Sequence, residues 1–147
     1  MTWYAIKSIG MREAIKLVLS FLLFKNLLNK EFIFFTDGAK NIKSHIESVF
    51  SFYPYTVILD WFHLKKKCQE LLSMSIKGKE NRNEVLEKLL RILWTGDVKA
   101  AIEYLRNLPS AKIKSDKWLE EQIGYLERKK EIIKCYAVRA KLTCCAS

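Results

Sequence analysis

Two short apolar runs, Phe32-Ile33-Phe34-Phe35 and Thr56-Val57-Ile58-Leu59, most constrain how this chain folds. Both are brief and rich in the aromatic and β-branched side chains of a buried strand. Between them, Ile42, Ile46, Val49 and Phe50 fall on one side of a helix over residues 39–50, and Pro54 punctuates the return. A strand–helix–strand crossover of this length makes the two strands parallel neighbours in one sheet. Thr36-Asp37-Gly38 follows the first run directly and Asp60 follows the second. Both aspartates therefore leave the carboxyl edge of that sheet, where open α/β sheets place ligands and catalytic groups.

The rest of the chain reads as helical. Ile15, Leu19, Leu22, Leu23 and Leu27 predict a helix over residues 10–28 that ends at Asn29-Lys30. Residues 16–28 are the most apolar stretch, but they are too short to span a bilayer and Lys25 interrupts them. They also lack the position and cleavage pattern of a signal peptide, so the stretch reads as a helix buried in a protein core. After Asp60 come helices over residues 64–76 and 81–94, the second striped by Val85, Leu86, Leu89, Leu90 and Leu93. Asp97 then caps a short helix holding Ala100, Ala101, Tyr104 and Leu105. A long basic helix covers residues 116–134 with Trp118, Leu119, Ile123 and Leu126 facing inward, and it continues after a bend over residues 136–142. The change from mixed α/β to all-helical near residue 77 is the one boundary. It divides the chain into residues 1–76, residues 77–142 and an unmatched tail, 143–147.

Half of the 147 residues are hydrophobic and 29% are charged, a balance that folds rather than stays disordered. Lys and Arg number 26 against 16 Asp and Glu, a net charge of +10. That excess attracts polyanions through its long-range field and counterion release. Nucleic acid is the first class of partner it suggests, with anionic membranes and acidic proteins as the others. Cys68, Cys135, Cys144 and Cys145 form no paired CxxC motif, which suits reduced thiols in a cytosolic protein. Cys135 with the adjacent Cys144 and Cys145 suggests a metal site, but no His lies near them in sequence, and free thiols in a tail are the simpler reading.

Several groups of residues could carry chemistry. Asp37, at a strand end and followed by Gly38, sits where a carboxylate would ligate Mg²⁺, although Asp-Gly is also ordinary turn chemistry. Asp60 and His63, three apart, face one side of a helical turn. Asp60 either holds the imidazole or caps the helix, while His63 either meets a phosphate or packs half-buried between Trp61 and Phe62. Lys65-Lys66-Lys67 supplies positive charge beside the strand ends for a phosphodiester backbone, or simply forms a solvated helix face. Lys112, Lys114, Lys117, Arg128, Lys129 and Lys130 make a second basic field with Trp118 and Tyr125 interleaved. Glu127 and Glu131, four apart among those cations, read as solvated ion pairs rather than a shared metal site.

Taken together, Phe34-Phe35-Thr36-Asp37-Gly38-Ala39 and Ile58-Leu59-Asp60-Trp61-Phe62-His63-Leu64-Lys65-Lys66-Lys67 resemble bacterial insertion-sequence transposases of the DDE type, in the branch related to Mutator-like elements. Leu93-Trp94-Thr95-Gly96-Asp97, Ala101-Ile102-Glu103-Tyr104-Leu105, Tyr125-Leu126-Glu127-Arg128-Lys129 and Cys135-Tyr136-Ala137-Val138-Arg139 resemble the helical insertion of the same family. The resemblance implies an α/β fold: a partial RNase H-like core with parallel strands, followed by an all-helical insertion region. It also implies metal-dependent DNA cleavage and strand transfer, with Mg²⁺ or Mn²⁺ as cofactor. Asp37 matches the second catalytic Asp, a metal ligand, and Asp60 and His63 match a supporting downstream pair. Lys65, Lys66, Lys67, Lys129 and Lys130 become the expected DNA contacts. The expected partners are DNA and full-length transposase or a second copy, with no membrane, in the cytoplasm at the nucleoid.

The departures are equally specific. Residues 1–30 contain no Asp, so the family's first catalytic Asp has no counterpart, and its final Glu is not found. Thr143-Cys144-Cys145-Ala146-Ser147 matches nothing in the pattern and reads like a frameshift product or a premature end. Two-metal phosphoryl transfer needs several carboxylates to hold both ions. The expectation is a truncated transposase that is inactive alone. The alternative is a non-catalytic protein that binds DNA or a transposase.

Overall fold

A computed structural model describes residues 10–28 and 31–138. The elements are α1 (Met11–Phe24), β1 (Phe32–Thr36), α2 (Lys40–Phe50), β2 (Tyr55–Leu59), α3 (Trp61–Ser75), α4 (Lys79–Trp94), α5 (Val98–Arg106), a 3₁₀ turn at Ser110–Lys112, and α6 (Asp116–Lys129). The chain is thus mixed helix and strand, mostly helical, with two parallel strands paired in one sheet. It divides into two compact units, one ending at Ile58 and the other beginning at Leu59. The helix α3 lies in the second unit.

In the first unit α2 is the crossover between the parallel strands, and α1 packs on α2. Phe50, fully buried at the end of α2, collects the aromatic rings of the sheet: Phe34 lies 4.9 Å away edge-on and Phe32 5.5 Å away. β1 alternates, with Phe32, Phe34 and Thr36 turned inward and Ile33 and Phe35 47% and 46% exposed. Such alternation belongs to a strand covered on one face, not to the strand buried on both faces that its composition suggested.

The helix over 10–28 forms but is shorter than expected and is not buried. It ends at Phe24; Asn26 takes a left-handed φ of 54°, and the Leu27 N–H returns to the Leu22 carbonyl, a common helix stop. The predicted stop at Asn29-Lys30 lies outside the described residues. Only Ile15 is buried, whereas Leu17, Val18, Phe21, Leu23 and Phe24 are exposed. The physical reason is geometric: apolar residues surround this helix, and one packing neighbour covers only one stripe of it.

The second unit is helical. α3 and α6 run antiparallel, which two sets of backbone bonds show. The Ser75 carbonyl at the end of α3 accepts N–H groups of Lys114 and Ser115, just before α6. At the opposite end, the Leu59 N–H, just before α3, donates to the Ile132 carbonyl, just after α6, at 2.7 Å. α4 packs on α3 and α5, and α5 on α6. Leu64, Leu71, Leu72, Val85, Leu89, Leu93, Ala101, Leu105, Ile123 and Leu126 fill the core. An antiparallel bridge between Ile76 and Ile113 ties the α3–α4 connection to the segment before α6.

Three further features differ from expectation. α3 begins at Trp61, not residue 64, because Asp60 caps it. α6 stops at Lys129 rather than residue 134, because the chain turns there to bring the Ile132 carbonyl to Leu59. Trp118 is half-buried with Lys117 over its ring, while its neighbours Leu119, Ile123 and Leu126 do face inward. A helical turn at residues 136–138 follows as expected; its predicted continuation, Cys144 and Cys145 lie outside the described residues.

Candidate functional site

Asp37 follows β1 directly and is exposed. Its carboxylate Oδ1 accepts the Ala39 N–H at 2.9 Å, and Thr36 Oγ1 accepts the Gly38 N–H at 3.0 Å. Gly38 has φ 83°, a conformation that favours glycine. The turn reading of Asp-Gly is therefore realised: the side chain stabilises the entry to α2. Among the described residues, no group of three or more His, Cys, Asp and Glu side chains is gathered to hold a metal ion. The described donors do not by themselves fit a two-ion centre, which needs several hard oxygen ligands.

Asp60 performs both roles open to it. Its Oδ2 accepts the His63 N–H at 3.2 Å, capping α3, and also meets His63 Nδ1 at 3.1 Å. Burial raises the Asp60 pKa, but the hydrogen bonds and electrostatic attraction of His63 outweigh it and hold the carboxyl below its ordinary value. The expected packing of His63 between Trp61 and Phe62 does not form. The His63 side chain is 53% exposed, because the cap places it on the outer side of the first turn, with Phe62 edge-on at 6.1 Å. With Nδ1 engaged by the carboxylate, Nε2 is the nitrogen such an arrangement offers to a ligand.

Behind this cap lies a clasp that the sequence did not announce. Tyr136, buried, donates its Oη–H to the Leu59 carbonyl at 2.7 Å. Its ring lies 4.8 Å from Trp61 and stacks on Trp94 at 5.9 Å, and Trp61 meets Trp94 edge-on at 4.9 Å. Gly96 packs against the backbone beside Tyr136: a Cβ there would lie 2.8 Å from the Cys135 nitrogen. The available signal was Trp94-Thr95-Gly96-Asp97, since Gly96 at φ 82° separates the Trp94 end of α4 from the Asp97 cap of α5.

The antiparallel α3–α6 pair gathers the expected DNA contacts at one end. Lys65, Lys66 and Lys67 follow the Asp60 cap on α3, and Lys129 and Lys130 close α6, whose exit is bonded to Leu59. Lys65, Lys66 and Lys130 are exposed; Lys67 is half-buried and lies 3.5 Å from Glu70. Lys130 lines a groove of about 710 Å³ with Lys99, Arg106, Glu103 and Glu127, and Arg106 pairs with Glu127 at 3.5 Å. That groove is mixed in charge, whereas the first turns of α3 carry three consecutive lysines, two of them exposed, after the Asp60 cap. Lys112 sits away from that end, paired with Glu84 beside the α3–α4 connection.

Cys68 is fully buried, and burial pushes its thiol up to about 12 despite a neighbouring Gln122. It belongs to the packing of α3, not to a reactive site. No helix among the described residues is long and apolar enough to cross a membrane. No protein-family model, curated protein or solved structure matches the chain.

Proposed function

We propose that the chain is part of an insertion-sequence DDE transposase with an RNase H-like core, and that alone it binds DNA without cutting or joining it. One observation carries the reading. Three segments quoted for the resemblance, distant in sequence, converge: Leu59 to His63, Trp94 to Asp97, and Cys135-Tyr136 meet in one capped and clasped locus. The parallel strand pair, with Asp37 and Asp60 each following a strand, supports it further. In the intact relative, Asp37 is a ligand of Mg²⁺ or Mn²⁺, Asp60 and His63 shape the site, and Lys65, Lys66, Lys67, Lys129 and Lys130 hold phosphates. The sequence supplies no counterpart of the first Asp or the final Glu, so a pair of ions is not positioned by this chain alone. Its setting is the cytoplasm, at the nucleoid. Purified protein incubated with supercoiled plasmid and Mg²⁺ or Mn²⁺ is expected to bind and leave the plasmid intact. Metal-dependent nicking that is lost in Asp37→Ala would overturn the inactive-alone part.

A second reading is favoured by the exposed apolar side chains of α1. It makes the chain a non-catalytic partner of full-length transposase or of a second copy. Concentration-dependent association in sedimentation, abolished by Phe21→Ser with Phe24→Ser, supports it, and a monomer at all concentrations excludes the second copy.

A further inference from the structure

Between the start of α3 and the end of α4 lies an open depression of about 340 Å³, lined by Trp61, Leu90 and Trp94 with Glu87 and Arg91. Its walls are two indole rings set at 79° with centroids 4.9 Å apart, so they form a corner. Both rings are backed by the buried Tyr136, itself fixed to the Leu59 carbonyl. Trp94 nonetheless stays 36% exposed. Arg91 and Glu87, one helical turn apart, are hydrogen bonded and set donors beside acceptors.

Flat apolar walls with their rings held in place match the face of a flat aromatic ring, with the paired Arg91 and Glu87 at the rim. A net charge of +10 draws in the phosphodiester backbone that carries such rings in a nucleic acid. We propose that this corner is a stacking site for an unpaired nucleobase of single-stranded DNA. In a duplex, neighbouring bases already cover both faces of each base, so a base enters such a corner only when it is out of the stack. The inference rests on the DNA-binding reading and adds the strand class to it. An acidic protein would answer the charge but leave the indole corner unused.

The test compares binding of the whole chain to a labelled oligothymidylate, an abasic oligomer of the same length, and a duplex of the same length, at one salt concentration. The base-bearing single strand is expected to bind about tenfold more tightly than the abasic one. Trp94→Leu, which keeps apolar bulk against Trp61, is expected to erase that difference while leaving abasic binding unchanged. Photocrosslinking of the wild-type chain to an oligomer carrying 5-iododeoxyuridine locates the base without any variant, and adducts are expected on Trp61 or Trp94. Equal affinity for the abasic and base-bearing strands, or adducts confined to other residues, would overturn the stacking site while leaving DNA binding in place. No binding to any strand would overturn both.

Discussion

The Tyr136 hydroxyl donates to the carbonyl of Leu59, 77 residues earlier, and so joins the exit of α6 to the entry of α3. Both partners are buried. Tyr136→Phe keeps the ring against Trp61 and Trp94 but removes this buried hydrogen bond, which costs about 0.5–1.5 kcal/mol. Tyr136→Ala also empties the aromatic cluster and costs about 3–5 kcal/mol. Urea denaturation of the two variants is expected to rank them in that order, and equal midpoints for wild type and Tyr136→Phe would mean the bond contributes nothing.

Gly96 carries two constraints at once. Its φ of 82° disfavours any Cβ, and that Cβ would lie 2.8 Å from the Cys135 nitrogen and 3.0 Å from the Lys134 carbonyl carbon. Both neighbours are backbone, so nothing flexible can yield. Gly96→Ala is expected to destabilise by about 1–3 kcal/mol, read as a lowered thermal midpoint with loosened amide protection around residues 132–136.

Gln122 is fully buried on α6, and neither amide atom has a hydrogen-bond partner of ordinary geometry, although the amide lies close enough to the Cys68 thiol to lower its pKa. A buried polar group without partners is a cost, and an apolar side chain of similar shape removes it. Gln122→Met is expected to raise stability by about 1 kcal/mol. A loss of stability instead would show that the amide is satisfied in solution.

The strand–helix–strand unit, the turn at Asp37 and the caps at Asp60 and Asp97 were legible because each rests on local chemistry: apolar period, strand composition, and side-chain acceptors at helix starts. The burial of the α1 residues was not. Periodicity reports that Leu17, Leu23 and Phe24 are apolar, not how many neighbours cover them. The end of α6 was not legible either, since Glu131 and Lys134 are compatible with a helix and the stop comes from a long-range bond to Leu59. The clasp of Tyr136 with Trp61, Trp94 and Gly96 was visible only as separate short motifs. Nothing in their spacing states that they touch.

Asp60 makes stability depend on pH. Its carboxyl pKa is lowered in the folded chain from an ordinary value of 3.8. A depressed folded pKa contributes stability that is present above the unfolded value and lost as pH falls through the folded one. The Asp60 contribution is therefore expected to be whole at neutral pH and to fade below pH 3.8. Asp60→Ala removes it and the α3 cap together, costing about 0.5–2 kcal/mol at neutral pH. Thermal midpoints from neutral pH down into that acid range are expected to converge for wild type and variant. A gap that stays constant across the range would rule out the carboxylate as its source.

The salt dependence of DNA affinity is the decisive measurement for DNA binding by this chain. The measurement compares the wild-type chain with a variant carrying Lys65→Ala, Lys66→Ala and Lys67→Ala. Removing one lysine that neutralises a phosphate lowers the slope of log affinity against log salt by about 0.9 on duplex DNA. The prediction is a steep slope for wild type and a shallower one for the variant, with weaker binding at every salt concentration. Undetectable binding at low salt, or identical slopes for the two proteins, would contradict the placement of the DNA contacts at the start of α3.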